Sequence, residues 1–232
     1  MTVMLRAEGL AKTFTLHLQG GTRIPVLHGV GFDLRAGQCV ALAGPSGAGK
    51  STLMRSLYGA YRVDAGRILV RHGGALVDIA RADPRLVLRV RRDSLGYVSQ
   101  FLRVVPRVPA LDVVAEAAVL RGRPLDDARR EAAVLLAQLG IPHRLHLLPP
   151  ATFSGGEQQR VNLARGFIGG HPVLLLDEPT ASLDPCNRDV VVGMVQAAKA
   201  RGAAIVGIFH DAAVRDAVAD DTLQVLPHQE AA

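Results

Sequence analysis

Short segments of alternating or continuous apolar residues recur along the chain and predict a series of β-strands. Residues 3 to 8 and 24 to 34 alternate or carry β-branched side chains, and Gln38 to Ala43 is an apolar run that ends at a glycine. Further strands are predicted at Arg67–Val70, Ala75–Ile79, Leu95–Ser99, Pro172–Asp177 and Ala203–His210. The first two of these are joined across Gly73-Gly74, which predicts a hairpin.

Helical periodicity appears between these strands. Ser51 to Gly59 places three apolar residues on one face, and Ala110 to Gly140 is rich in Ala and Leu, with Pro124 marking a helix start. A helix-rich stretch thus interrupts a strand-helix pattern, which predicts an α/β fold with an inserted helical part. We expect one domain over residues 1–232, with a core at 1–100 and 171–226, a helical subdomain at 101–170 and a tail at 227–232.

Composition supports a folded α/β protein. Hydrophobic residues make up 49% of the 232 positions and charged residues 21%, and Trp is absent. No apolar run approaches the roughly 18 to 20 residues that cross a bilayer, and Met1 to Leu10 lacks the continuous apolar core of a secretory signal. We therefore expect a cytoplasmic location. Cys39 and Cys186 are far apart in sequence and suggest no metal cluster; Cys39 lies in an apolar strand pattern and is expected to be buried and unreactive.

The chain is basic, with a net charge of +6 that comes mostly from arginines. The arginines are spread along the sequence, with one denser patch from Arg81 to Arg92. Such a balance suits nucleic acid, an anionic membrane surface or an acidic partner. Aromatic residues are only 4% and do not interleave with the patch, so binding to nucleic acid is not favoured.

The first chemical motif has the spacing of a Walker A phosphate-binding loop. It follows a predicted strand, precedes a predicted helix and is continued by Thr52; it comprises Gly44, Pro45, Ser46, Gly47, Ala48, Gly49, Lys50 and Ser51. The glycines let the backbone fold around phosphates, Lys50 supplies a positive charge to the β and γ groups, and Ser51 can ligate Mg²⁺. The sequence therefore predicts a site for ATP with Mg²⁺.

The second motif is an apolar strand that ends in two carboxylates, Asp177 and Glu178. Beside a phosphate loop, Asp177 is expected to reach the metal and Glu178 to face an attacking water. Gln100 and His210 also end predicted strands. Gln100 is expected to touch both Mg²⁺ and water, and His210 to hold the γ-phosphate and the catalytic water.

A second anion cradle lies between these motifs, in the segment Phe153–Arg160. Ser154, Gly155 and Gly156 stand at the start of an apolar helical run, where a hydroxyl and free backbone N–H groups favour an anion. The phosphate loop already provides one such cradle. The second one therefore raises the question of whose phosphate it binds.

The ordered set of motifs resembles the ATPase subunit of the ATP-binding cassette family over essentially the whole chain. The set consists of the phosphate loop, Gln100, the SGGEQQR segment, the LLLDEP segment, Ser182-Leu183-Asp184 and His210. This resemblance implies a P-loop NTPase fold of the cassette type, with a RecA-like mixed sheet core, an antiparallel β subdomain and an inserted α-helical subdomain.

The same resemblance implies the residue roles. Glu178 would be the general base and His210 a switch histidine, while Ser51, Gln100 and Asp177 would attend the metal. Two subunits would pair head to tail, so that the Ser154–Gly156 cradle of one, with Glu157 beside it, closes on the γ-phosphate held by Lys50 of the other. The region of Asp184 would sense the partner's site. The resemblance leaves open whether the second subunit is a copy of this chain or a related one.

The chain departs from the family pattern at two positions of the second cradle. The family usually has Leu in place of Phe153 and Gln in place of Glu157, but neither change removes the serine or the glycines. The adenine-stacking aromatic is expected at Phe14, with His17 as the alternative, although Phe14 could equally be a core residue.

A narrower likeness concerns four segments: Lys12–Phe14, Val98–Val104, Phe153–Gly166 and Gly202–Asp211. They resemble the PhnL-type subunit of the bacterial carbon-phosphorus lyase system. This resemblance implies soluble lyase subunits as partners and a role in phosphonate catabolism. The role would be in the synthesis of a ribose phosphonate triphosphate or in remodelling of the complex. The alternative is the motor subunit of a membrane transporter, such as a lipoprotein or phosphonate transporter, paired with a permease and peripheral on the inner face of the membrane. A nucleic-acid- or ribosome-associated ATPase is a third. Partner choice is expected to depend on the segment Phe101–Pro109.

Overall fold

The computed structural model describes residues 2–16, 18, 20–100, 102, 106–181 and 183–227. In chain order, the strands are β1 (Val3–Leu16), β2 (Thr22–Arg35), β3 (Cys39–Ala43), β4 (Ala65–His72), β5 (Ala75–Asp78), β6 (Leu95–Val98), β7 (Val173–Asp177), β8 (Ala204–Ile208) and β9 (Asp221–Gln224). The α-helices are α1 (Lys50–Leu57), α2 (Pro84–Asp93), α3 (Ala110–Val119), α4 (Leu125–Gln138), α5 (Gly155–Ile168), α6 (Pro185–Ala200) and α7 (Ala212–Val218).

The strands form two sheets. One has four antiparallel strands in the order β2-β1-β4-β5, and the other has five strands in the order β6-β7-β8-β3-β9. Every neighbouring pair in the five-stranded sheet is parallel. The hairpin predicted across Gly73-Gly74 is confirmed, because His72 pairs with Ala75 at its closed end.

The parallel sheet separates two hydrophobic cores. Successive side chains of a strand point to opposite faces, and in β3 Cys39 and Ala41 join one core while Val40 and Leu42 join the other. The first core is shared with helices α3, α4 and α5, and the second with α1 and the antiparallel sheet. This two-sided burial explains why the strands of this sheet read as apolar runs instead of alternating patterns.

The order of the parallel strands positions the chemistry. Strands β6, β7, β8 and β3 are neighbours, so their carboxyl ends lie at one edge of the sheet. Gln100 follows β6, Glu178 follows β7, His210 follows β8, and the phosphate loop follows β3. Residues scattered along the chain therefore meet at this edge.

Several elements differ from the sequence-based expectation. Strand β1 continues to Leu16 through Gly9, which has a φ of 57°, and through register shifts that hide the alternation. Helix α2 was not predicted, because its only buried residue is Val90 and arginines fill much of its surface. Helices α6 and α7 and strand β9 were also not predicted.

Helices α3, α4 and α5 fall within the part of the chain that we expect to form a helical subdomain. The subdomain limits themselves stay a prediction. Most of the segment Phe101–Val105 and residues 228–232 lie outside the described residues, as do His17 and Ser182. Within the described ranges, no helix is long and apolar enough to cross a membrane.

Cys39 is fully buried in β3, as the sequence predicts. Burial raises the pKa of its thiol to about 12, so it stays protonated at physiological pH. Cys186 is exposed near the start of α6.

Candidate functional site

The phosphate loop depends on glycines at positions that side chains would block. Gly44 has a φ of 143°, and a Cβ added there would lie 2.2 Å from the carbonyl oxygen of Val225. Gly49 has a φ of 96°, and its Cβ would lie 2.8 Å from Val26 Cγ1. Gly49 caps α1 without a side-chain hydrogen bond, so the first backbone N–H groups of α1 remain available to an anion.

The loop forms one wall of a cavity of about 580 Å³. The predicted residues that line it are Gly44, Ser46, Gly47, Gly49, Lys50, Ser51, Thr52, Glu178 and His210. The side chain of Ala48 is buried beneath the loop. Lys50 Nζ donates to the carbonyl oxygens of Gly44 at 2.8 Å and of Pro45 at 2.9 Å. An ammonium has three N–H donors, so Lys50 keeps one for a phosphate oxygen.

Asp177 lies at the end of β7 and is only 4% exposed. Its Oδ2 accepts a 2.8 Å hydrogen bond from the hydroxyl of Tyr97. Burial raises the pKa of the Asp177 carboxyl above its usual range; the Tyr97 bond opposes this rise and the charge of Glu178 adds to it. Burial, and then the charge of Asp177, raises the pKa of Tyr97 far above its ordinary value, so its hydroxyl remains a donor.

Glu178 adopts a left-handed backbone conformation, with a φ of 53°, which is uncommon for a residue with a side chain. Its backbone N–H donates to the carbonyl oxygen of Ile208 at 3.1 Å, which ties this turn to β8. Strained backbone of this kind concentrates at functional sites. Here it coincides with the side chain that the sequence predicts as the general base.

The Glu178 carboxylate lies between Gln100 and His210. Gln100 Nε2 donates to Glu178 Oε2 at 3.0 Å, and His210 Nε2 lies 2.7 Å from Glu178 Oε1. The side chain of His210 is 69% exposed and that of Glu178 is 18% exposed. Each oxygen of the carboxylate therefore has a side-chain partner that orients it, and the group lies beside an accessible cavity. This arrangement is suited to accepting a proton from water.

The second cradle begins α5 with a capping box. Glu157 N donates to Ser154 Oγ at 3.3 Å, and Glu157 Oε2 accepts from Ser154 N at 2.8 Å and from Ser154 Oγ at 2.7 Å. These bonds from Ser154 lower the pKa of the Glu157 carboxyl below its usual range. Neither these residues nor Gly155 and Gly156 line the 580 Å³ cavity, so one subunit keeps its two cradles apart.

Asp184 caps α6 and likewise lies outside the cavity. Its carboxylate accepts from Asn187 N at 2.9 Å and from Asn187 Nδ2 at 2.7 Å. The backbone bond from Asn187 lowers the pKa of Asp184. Its sensing role stays a prediction.

Phe14 does not line the cavity. Its ring packs edge-on against Tyr61, with centroids 5.5 Å apart, and Lys12 Nζ lies 5.3 Å from its centroid. Adenine stacking by Phe14 stays a prediction, and the alternative, His17, lies outside the described residues.

Sequence reasoning missed three residues near this site. Val26 and Arg215 line the cavity, and Tyr97 holds Asp177. A usable signal existed for Tyr97, which lies near the end of the strand that precedes Gln100 and therefore beside β7. No local pattern marks Val26 or Arg215.

The oxygen ligands available at this edge of the sheet suit Mg²⁺. Ser51 offers a hydroxyl, Asp177 a carboxylate and Gln100 an amide oxygen. Mg²⁺ prefers hard oxygen ligands of this kind. In the described part of the chain, no group of three or more His, Cys, Asp or Glu residues is placed to hold a metal alone. Few protein ligands, completed by substrate phosphates and water, are typical of Mg²⁺ sites for nucleotides.

Comparison with known proteins agrees with these observations. Residues 27–181 match the family model described as ABC transporter. The lipoprotein-releasing system ATP-binding protein LolD of Maricaulis maris (strain MCS10) is 40% identical over 209 residues, covering 90% of this chain and 88% of that protein. The macrolide export ATP-binding/permease protein MacB of Sodalis glossinidius (strain morsitans) is 33% identical over 213 residues, covering 92% of this chain but only 31% of that protein.

Solved structures are similar over nearly the whole chain. A dimeric structure of MJ0796, a bacterial ABC transporter cassette, is 25% identical, with a TM-score of 0.85, and the match covers 95% of this chain and 94% of that one. A dimeric post-hydrolysis state of the same cassette, bound to ADP and Pi, has a TM-score of 0.86 at 24% identity and covers 96% of this chain and 94% of that one. The expected fold class is confirmed. The chain belongs to the ABC transporter family of ATP-binding proteins.

Proposed function

We propose that this chain binds ATP in the 580 Å³ cavity and hydrolyses it, with Glu178 as the general base. The observation that carries the proposal is the Glu178 carboxylate, which lies between Gln100 and His210 beside the phosphate loop. A base in this place can accept a proton from water as the water attacks the terminal phosphate. His210 would add a donor for the charge that develops on the phosphate.

The phosphate loop supplies the positive end of the site. The N–H groups at the start of α1 and the Lys50 ammonium would bind the β and γ phosphates. Ser51, Asp177 and Gln100 would hold Mg²⁺, which neutralises charge on the phosphates when it is bound.

We further propose that catalysis needs two subunits. Ser154 and the N-terminus of α5 form an anion cradle that does not line the cavity of the same subunit. The solved MJ0796 structures named above are dimeric, which supports pairing of two cassettes. In a head-to-tail pair, the Ser154–Gly156 cradle would close over the γ-phosphate bound by the other subunit, with Glu157 and Asp184 beside it.

The relatives support a membrane transporter as the working partner. LolD is named as the ATP-binding protein of a lipoprotein-releasing system, and MacB is named as an ATP-binding/permease protein. On this proposal, the chain drives a separate permease from the cytoplasmic face of a membrane. The phosphonate interpretation rests on the four sequence segments alone, and the comparisons give it no support.

A substitution at Glu178 tests the hydrolytic proposal. Glu178→Gln keeps the shape of the side chain and removes the base, so ATP should still bind while steady-state hydrolysis is nearly abolished. The variant should also accumulate as an ATP-bound dimer, measured by size-exclusion chromatography with light scattering. Glu116→Gln, at an exposed position of α3 outside the cavity, is the matched control and should hydrolyse ATP like the parent. Equal hydrolysis by the Glu178→Gln variant would show that another group is the base.

The partner is identified by purifying the tagged Glu178→Gln protein from its native cells. One purification starts from detergent-solubilised membranes, and the other starts from the soluble fraction. Recovery of a permease from the membrane fraction is expected. Recovery of soluble phosphonate-processing subunits without any permease would overturn the transporter proposal and favour the lyase interpretation.

A further inference from the structure

A continuous row of side chains connects helix α2 with Asp177. The Arg91 guanidinium lies over the ring of Tyr58, with Cζ 4.4 Å from the ring centroid, and Arg91 Nε donates to the carbonyl oxygen of Tyr58 at 2.9 Å. The ring of Tyr58 stacks on that of Tyr97, with centroids 5.0 Å apart and planes inclined by 29°. The Tyr97 hydroxyl then donates to Asp177 Oδ2 at 2.8 Å.

Each link of this row restricts the next. The two contacts of Arg91 fix Tyr58, and the stack fixes the plane of Tyr97, because offset aromatic pairs have a preferred geometry. A hydroxyl on a fixed ring can donate in only a narrow range of directions. The bond to Oδ2 therefore sets the rotation of the Asp177 carboxylate and, with it, the position of Oδ1.

We propose that Tyr97 is a positioning residue for the metal site: its hydroxyl orients Asp177 for Mg²⁺, and Tyr58 and Arg91 hold Tyr97 in place. The inference rests on the proposed function, since it assigns Asp177 to the Mg²⁺ of the nucleotide site. It goes further by giving a role to residues outside the nucleotide cavity.

The arrangement is more specific than the satisfaction of a buried polar group requires. Asp177 is nearly fully buried, so some donor to its carboxylate is needed. A water or a mobile side chain would meet that need. A tyrosine that is itself stacked and backed by an arginine additionally fixes the direction of the bond, and partners of this kind typically change metal affinity by roughly 10- to 100-fold when they are removed.

The test compares Tyr97→Phe with Tyr58→Phe. Each change removes one hydroxyl and keeps the ring, but only the first hydroxyl contacts Asp177. The first readout is the rise in melting temperature caused by ADP in EDTA, and the second is the further rise when Mg²⁺ is titrated in. Tyr97→Phe should keep the ADP response and require about 10-fold more Mg²⁺ for the second response. Tyr58→Phe should match the parent in both.

A second pair of variants tests the support of Tyr97, and it keeps the proposal testable if Tyr97→Phe fails to fold. Arg91→Lys keeps the charge but loses the planar group over Tyr58 and its Nε bond. Arg89→Lys, at an exposed position of the same helix, is the control. Arg91→Lys should also raise the Mg²⁺ requirement, while Arg89→Lys should not.

The proposed function and the positioning inference would fail through different results. If the parent binds Mg²⁺ with ADP but hydrolyses no ATP, the proposed function fails and the positioning inference is still decided by the Mg²⁺ titrations. If the parent hydrolyses ATP and both Tyr97→Phe and Arg91→Lys require no more Mg²⁺ than their controls, the positioning inference is overturned.

Discussion

Glu178 Oε1 lies 2.7 Å from His210 Nε2, although the two residues are 32 positions apart in sequence. They meet because Glu178 follows β7 and His210 follows β8, and these strands are adjacent and parallel. The pair therefore depends on the register of the central sheet.

His210→Ala should lower the turnover number for ATP while the affinity for ATP changes little. The substitution removes a donor beside Glu178 and the expected terminal phosphate, and loss of one such donor costs roughly 10²- to 10³-fold in rate. Steady-state hydrolysis and equilibrium binding of ATP measure the two effects. His143→Ala, at an exposed histidine outside the cavity, should leave both unchanged. A His210→Ala variant with parental turnover would remove His210 from the mechanism.

Gly155→Ala should separate stability from catalysis. A Cβ added at Gly155 meets no atom within 4 Å, and Ala is favoured over Gly in helices by roughly 0.5–1 kcal/mol, so the melting temperature of the subunit should stay the same or rise. Hydrolysis and ATP-dependent dimerisation should fall, because the methyl group would stand where the partner's phosphate approaches. These are measured by calorimetry, phosphate release and light scattering.

The control is Gly193→Ala in α6, where an added Cβ also meets nothing within 4 Å. It should preserve stability, hydrolysis and dimerisation together. If Gly155→Ala behaves in the same way, no phosphate approaches the start of α5.

The sequence predicted best those parts of the site that follow apolar strands. Gln100, Glu178 and His210 were each placed at a strand end, and the parallel order of β6, β7 and β8 brings these ends together. The sequence could not predict the distances, because they depend on sheet register and on the left-handed backbone of Glu178. The roles of these residues remain predictions that the experiments above address.

Other features carried too little local signal. Tyr97 and Asp177 are 80 positions apart, so their hydrogen bond is a consequence of the pairing between β6 and β7. Helix α2 buries only Val90 and carries four arginines, which obscured it, although its N-cap Asp83, whose side chain accepts from Arg85 N, and Pro84 at the first helical position form a helix-start signal.

Glu157→Gln should change the pH dependence of stability. The folded-state pKa of Glu157 is lowered by its bonds to Ser154, so the ionised carboxylate stabilises the fold above its unfolded pKa of about 4.3, and this contribution is lost as pH falls through the lower folded value. Gln can still complete a capping box. The variant should therefore be less stable than the parent at pH 7, and the difference should vanish in acid.

Urea unfolding at a series of pH values measures this difference. In a Ser154→Ala background the effect of Glu157→Gln should shrink, because the hydroxyl bond to the carboxylate is already absent. A difference between parent and variant that stays constant down to acid pH would show that the charge of Glu157 contributes nothing.

The most direct test of the central claim, that each ATP site is shared by two subunits, uses mixed dimers with Lys50→Ala and Ser154→Ala in a Glu178→Gln background. When the two changes are in different subunits, both fall on one shared site and the other site stays intact, so one ATP should remain bound per dimer after gel filtration. When both changes are in the same subunit, each site has one lesion, and ATP retention should be lost. The opposite pattern, with retention only when both changes share a subunit, would contradict the shared site.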